Sequence, residues 1–326
     1  MAAFRASGGE VEVGGRRLAI RNLDRVLYPQ TGTTKGELLG YYVAVADVML
    51  AHLRGRQLHM HRYPEGVGGP HFWQKGCPEH KPPWVPTAPV WSAEKNADIE
   101  YCVVDDLATL LWAVNIGSLE LHTSLHRAED LHRPTVLAFD LDPGEGTDIL
   151  ACCEVGLRLR ELFGGLGLRS HAKTSGSKGL QVYVPLNTPT TYAETKPVAR
   201  AVAELLEAER PDAVVSRMAK RLRAGRVLVD WSQNTEHKSM VCAYSVRAKA
   251  RPTVSAPVTW AEVESAVDAG DPVRLVFEIG DVLERVEEHG DLFAGVLTDR
   301  QELRPAAATA EGPRPWRRPA GAPGGR

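Results

Sequence analysis

The sequence predicts an α/β (α+β) fold in which a mixed central β-sheet is flanked by helices. Two observations carry that expectation. Short apolar runs rich in β-branched residues, at 135–141, 180–186 and 226–231, alternate with longer stretches whose apolar residues recur at helical spacing. The chain is also long enough, at 326 residues with 43% hydrophobic and 25% charged side chains, to bury one large core or two ordinary ones. No internal repeat is visible.

Taken in order, residues 11–20 read as a hairpin, with Gly14-Gly15 supplying the turn. Thr34 caps a helix running to about residue 53, whose stripe is Leu38, Leu39, Tyr42, Val45, Ala46 and Met49. The Gly-, Pro- and His-rich stretch 63–89 reads as a long surface loop, and such loops commonly carry function. Asp105 opens a helix to about residue 114, and a strand follows at 118–122. The run 135–141 reads as a buried strand ended by Pro143. Then come a helix near 148–163, strands near 168–173 and 180–186, and helices near 191–209 and 215–222. Strands at 226–231 and 243–247 and helices at about 260–268 and 280–289 complete a single domain over residues 1–303. Residues 304–326 are Ala, Pro, Gly and Arg with almost nothing to bury, and are expected to form a disordered basic tail.

A net charge of −2 excludes any argument for nucleic-acid binding from bulk charge, so a basic surface must be local. The first residues lack an apolar signal region and no apolar run approaches a membrane span, which points to a cytoplasmic protein. Five cysteines without a C-x-x-C pair suit reduced core thiols. His59, His61, His71, Cys77 and His80 resemble a zinc cluster, but their spacing fits no standard finger; hydrogen-bonded or solvated histidines are the favoured reading.

The residues that carry chemistry begin with Asp140 and Asp142. Side chains alternate along a strand, so both point to one face, and two carboxylates there resist ionising unless something positive lies between them. A divalent cation with oxygen ligands is the simplest answer; a helix cap plus a salt-bridged partner is the structural alternative. Asp230, ending the apolar run Val227-Leu228-Val229, repeats the logic, with turn capping before Gln233-Asn234 as its alternative. Three carboxylates on adjacent strand ends can cradle two divalent ions for phosphoryl transfer. Between two predicted strands, Thr174-Ser175-Gly176-Ser177-Lys178-Gly179 offers small residues, donors and one cation to a phosphate, although a polar hairpin turn would look similar. Arg217, Lys220, Arg221, Arg223 and Arg226, then Arg247, Lys249 and Arg251, are basic clusters flanking Asp230. Phe72 and Trp73 in the long loop could stack on bases.

Together these segments resemble the polymerase domain of bacterial ligase D, of the archaeo-eukaryotic primase superfamily used in non-homologous end joining. The resemblance rests on the motifs that begin at Val26, Phe139, Thr174, Leu222 and Ala243, and covers roughly residues 10–300. It implies a primase-polymerase fold. It also implies metal-binding carboxylates at Asp140, Asp142 and Asp230, nucleotide contacts at His122, Ser175, Lys178, Gln181, Gln233 and Arg247, and a grip on a DNA 5′-phosphate by Arg25 and Lys35. Phe72 and Trp73 match an aromatic pair that contacts the template. The implied cofactors are two Mn²⁺ or Mg²⁺ ions with a nucleoside triphosphate substrate, ribonucleotides and Mn²⁺ being the family preference. The implied partners are DNA with 5′-phosphorylated ends or gaps, Ku and a separate ATP-dependent DNA ligase. Three positions depart from the family: Gln181 replaces a histidine, His61 a common lysine, and Arg25 a lysine. Glutamine can donate a hydrogen bond but carries no charge.

The expectation is therefore a metal-dependent nucleotidyltransferase, monomeric and nucleoid-associated. No K-x-D-G ligase motif occurs, so the sequence reads as a stand-alone polymerase-type domain that does not seal nicks. Two rivals remain. A catalytically weak module would bind 5′-phosphorylated ends without adding nucleotide, and a metal-dependent phosphodiesterase would shorten DNA.

Overall fold

The computed structural model describes residues 9–92, 95–303 and Trp316. The expected tail lies outside the described residues apart from Trp316, whose ring sits 5.3 Å from the Arg210 guanidinium.

Two sheets organise the chain. The larger has six strands in the order Val214–Val215, Val227–Asp230, Val136–Pro143, Leu180–Pro185, His171–Thr174 and Pro257–Val258. All neighbours are antiparallel except the first pair. The smaller sheet runs Met240–Val241, Ser118–Thr123, Leu58–Arg62 and Phe72–Gln74, all antiparallel. Helix Ile149–Gly165 lies against the middle of the larger sheet, where Phe139 meets Phe163 at 5.7 Å between ring centres. Phe139 and Leu141 are wholly buried on that face. Alternation then sends Asp140 and Asp142 to the opposite face, toward the smaller sheet.

Local chemistry explains most boundaries. Thr34 and Glu37 form a reciprocal capping box at the start of helix Lys35–Ala44. Asp148 accepts from the Leu150 and Ala151 amides to open Ile149–Gly165. The 11–20 hairpin is present as Gly9–Val13 paired with Arg16–Ile20.

Several expectations are corrected. The helix from Thr34 does not run unbroken to residue 53: Val45, at φ −93° and ψ 4°, divides it into Lys35–Ala44 and Ala46–Leu53. The capping residue of the next helix is Asp106 rather than Asp105. Within the supposed loop 63–89, Phe72–Gln74 adds to the edge of the smaller sheet, and Thr87–Ser92 begins a hairpin with Ala97–Cys102. Residues 215–222 are not a helix. Buried Val214 and Val215 pair with the Asp230 strand, and only Lys220–Leu222 makes a 3₁₀ turn, because the basic residues there offer no apolar stripe. Residues 243–247 are not a strand: Tyr244 adopts φ 67°, which no ladder accommodates, and a single bridge from Val246 to Val254 remains. Finally, Cys77 and Cys102 are not free thiols but form a disulfide, 5.0 Å between Cα atoms. The Cys77 amide donates to the Glu100 carbonyl, which brings two sequence-distant segments together. Cys152, Cys153 and Cys242 are buried thiols.

Candidate active site

The face opposite helix Ile149–Gly165 borders a cavity of about 340 Å³. From the larger sheet it is lined by Asp140, Asp142, Ser175, Lys178 and Gln181; from the smaller by His122, Met240 and Val241; and from the following segments by Arg223 and Arg247. The register makes the arrangement. Lys173, Gln181, Asp140 and Asp230 are successive cross-strand partners, so they form one row across four adjacent positions of the sheet.

Burial pushes the Asp140 carboxyl above its ordinary range, repulsion from Asp142 adds to this, and the Gln181 amide at 2.9 Å opposes it. Asp142 is raised by burial and by Asp230, while Arg223 and Arg247 counter. Asp230 stands directly across the ladder from Asp140, yet its oxygens are engaged locally. They accept from the Ser232 amide and hydroxyl (2.9 and 2.6 Å) and from Gln233 Nε2 (2.8 Å), with Lys238 at 3.7 Å. Gln233 therefore reaches Asp230 rather than lining the cavity. Asn234, fully buried, exchanges two hydrogen bonds with the Ala138 backbone and clamps this turn to the Asp140 strand.

The Thr174–Leu180 turn folds on itself. Ser175 Oγ accepts from the Ser177 and Gly179 amides at 3.2 and 3.0 Å, which leaves exposed Lys178 at the cavity rim. Gly176 takes φ 65°, and a Cβ on Gly179 would lie 2.1 Å from the Leu141 carbonyl oxygen. Only glycine fits this turn so close to the Asp140 strand. Arg247 donates to the Ser175 carbonyl and forms an ion pair with Glu120 at 3.1 Å.

Glu120 is the buried hub of the smaller sheet. Burial alone would raise its carboxyl; hydrogen bonds from His122 (3.0 Å) and His61 and the Arg247 charge instead hold it well below the usual carboxylate range. Burial keeps His122 low, against the pull of Glu120. His61 stacks on Trp73 at 4.2 Å, and Trp73 also meets the edge of His122 at 4.8 Å. Trp73 and Phe72 are 53% and 46% exposed, so each offers an open aromatic face. His59, His61 and His71 of the suspected zinc cluster are thus engaged with aromatic, histidine or carboxylate neighbours, His80 is exposed, and the cysteine is in the disulfide.

Arg25 and Lys35 are brought together by the pairing of Val26–Tyr28 with Thr33–Thr34, away from the cavity lining. Burial, then Arg25, push the Lys35 amine down to about 8. Sequence reasoning did not place Arg223, Glu120, Lys173 and Asn234 at the site. Arg223 was visible as part of a basic run; the other three are buried polar residues whose partners come from distant strands.

Hard oxygen donors fit a hard divalent cation, and burial with mutual repulsion leaves Asp140 and Asp142 in want of positive charge. Among the described residues no three His, Cys, Asp or Glu side chains are gathered around one point, so water or a ligand would complete any coordination shell.

Comparisons with known proteins identify the family. Residues 34–293 match the family model described as LigD, primase-polymerase domain. The multifunctional non-homologous end joining protein LigD of Mycobacterium bovis is 38% identical over 313 residues, covering 91% of this chain and 40% of that protein. The bifunctional LigD of Bacillus subtilis is 30% identical over 287 residues, covering 88% and 45%. The chain thus spans less than half the length of these relatives. A solved polymerase domain from Mycobacterium tuberculosis ligase D in complex with DNA superposes with a TM-score of 0.80 at 38% identity, covering 87% of this chain and 99% of that one. The chain belongs to the LigD primase-polymerase domain family.

Proposed function

We propose that this protein is a DNA-dependent nucleotidyltransferase that adds nucleotides, ribonucleotides by preference, at gaps or broken ends during non-homologous end joining. The observation that carries the reading is one cavity in which two half-buried, mutually repelling carboxylates face Lys178, Arg223 and Arg247. An acid pair beside a cluster of cations suits a polyphosphate arriving with divalent metal, and a volume of about 340 Å³ is of small-ligand size. Asp140, Asp142 and Asp230 would hold two Mn²⁺ or Mg²⁺ ions, which supply Lewis-acid activation of a primer 3′-hydroxyl and neutralise the departing pyrophosphate. Lys178, Arg247 and Arg223 take the triphosphate oxygens; Arg247 is held in place by Glu120 and the Ser175 carbonyl. His122, Ser175 and Gln181 shape the nucleotide side, and Gln233 orients Asp230.

The relative solved with DNA supports a DNA substrate here. Arg25 and Lys35 grip the 5′-phosphate across the gap, and Phe72 with Trp73 stack on template bases. No helix among the described residues is long and apolar enough to cross a membrane. The proposed setting is the nucleoid, alongside Ku and a separate DNA ligase. Primer extension with labelled NTPs and dNTPs, with Mn²⁺ or Mg²⁺, on gapped 5′-phosphorylated DNA tests the proposal. Primer lengthening supports it. Binding without lengthening would leave an end-binding module, and shortening a phosphodiesterase.

A further inference from the structure

Lys173 lies on strand His171–Thr174, 1% exposed, and the proposed nucleotide chemistry makes no use of it. Its Nζ donates to Gln181 Oε1, to the Val241 carbonyl at 2.9 Å and to Ser255 Oγ at 2.6 Å. Ser255 gives its own proton to the Thr174 carbonyl at 2.8 Å, so toward Lys173 it can only accept. Three acceptors surround Nζ. An ammonium has three donors and no acceptor, and matches that set; a neutral amine would leave one acceptor without a proton. Burial pushes Lys173 down to about 7, and Cys242 and Asp140 oppose this. Full hydrogen bonding is what makes a buried cation tolerable here.

The charge has a directional consequence. A glutamine amide can present either end to a neighbour, and the two ends are not interchangeable. A donor-only lysine compels Gln181 to turn Oε1 toward it, and Nε2 then faces Asp140 Oδ1 at 2.9 Å. The order along the sheet is cation, amide, carboxylate, set by the register Lys173–Gln181–Asp140. Among the described residues no other side chain donates to Asp140.

We propose that Lys173 is a positioning residue for the acid pair: by fixing the polarity of the Gln181 amide, it pins one oxygen of Asp140 and presents the carboxylate to a divalent cation. This inference rests on the metal reading of the cavity. Outer partners of metal ligands commonly govern affinity by 10- to 100-fold.

The test is Mn²⁺ binding to the whole chain, followed by the electron paramagnetic resonance of free Mn²⁺, with circular dichroism as the check on folding. Wild type should bind Mn²⁺ and Asp140→Ala should not. Lys173→Met and Gln181→Leu should each weaken binding by about tenfold or more, and the double variant no further, because both break one chain of contacts. A purely structural lysine would lower thermal stability without moving the Mn²⁺ affinity of the folded protein. If Lys173→Met does not fold, Gln181→Leu decides alone. Wild-type Mn²⁺ affinity in the folded variants, with Asp140→Ala inactive in binding, would overturn this inference and leave the metal reading standing. No Mn²⁺ binding by wild type would overturn both.

Discussion

Neutralising Asp140 should make the metal-free protein more stable while removing its activity. Asp140→Asn keeps an oxygen to accept from Gln181 Nε2 and deletes the charge that burial and Asp142 oppose. The carboxyl is pushed up to about 7 from 3.8. At about 1.4 kcal/mol per pH unit, that sets a ceiling of about 4 kcal/mol on the cost of ionising it in the fold. Asp142 shares the repulsion, so one substitution should recover on the order of 2 kcal/mol, or roughly 4 °C in Tm for a chain of this size. An acid raised on folding destabilises the native state only where the unfolded chain has already lost the proton. The gain should therefore be absent below about pH 4, grow as pH rises toward 7, and stay constant above; at pH 5 it should be roughly a third of its full value. Thermal melts in EDTA across pH 5 to 8 measure this. Adding Mn²⁺ should then raise the wild-type Tm and leave the variant unmoved, since a ligand stabilises only the state that binds it. A Tm unchanged at pH 8, or a gain equally large at pH 5, would refute the account of Asp140 as an ionised carboxylate held against its preference.

Further outcomes are expected. Asp140→Ala combined with Asp142→Ala should abolish primer extension with an unchanged circular dichroism spectrum; extension at the wild-type rate would remove the acid pair from the chemistry. Lys35→Ala should weaken binding to gapped DNA bearing a 5′-phosphate at least several-fold more than to the 5′-hydroxyl form. With the Lys35 amine lowered to about 8, the wild-type preference should fade between pH 7 and 9 as that amine loses its proton. A preference that is flat with pH would assign the selectivity to Arg25 alone. Opening the Cys77–Cys102 bond, by reductant or by Cys77→Ser, releases a loop of 25 residues and should cost roughly 3 kcal/mol. A melt insensitive to reductant would show that the two thiols are not joined in solution.

The acid pair was legible in the sequence because alternation along an apolar strand is a local rule, and the register confirms that Asp140 faces Asp230. Capping at Thr34 was equally local. What escaped depends on contacts between distant strands. Glu120 and Lys173 read as unremarkable polar residues until Arg247, Ser255 and Val241 surround them. Tyr244 carries no glycine-like signal for its positive φ; its hydroxyl bond to Asp291 at 2.7 Å and the Tyr41 bond to its carbonyl at 2.8 Å hold the turn from outside. The disulfide was hidden for the same reason, its cysteines being neighbours only after the 87–102 hairpin has formed.

The two walls of the cavity belong to different sheets, and that separation divides labour. The carboxylates ride on the Val136–Pro143 and Val227–Asp230 strands, whereas His122, His61 and Trp73 ride on strands of the smaller sheet. Under the proposed function, variation in the second set would alter the nucleotide and template side while the acid strands stay untouched. Trp73 and Arg247 are joined through His61 and Glu120, so under the proposed function a template base on the indole and a triphosphate on the guanidinium would press on one shared carboxylate. Under that function, template fit and nucleotide grip would be coupled through Glu120 rather than set separately.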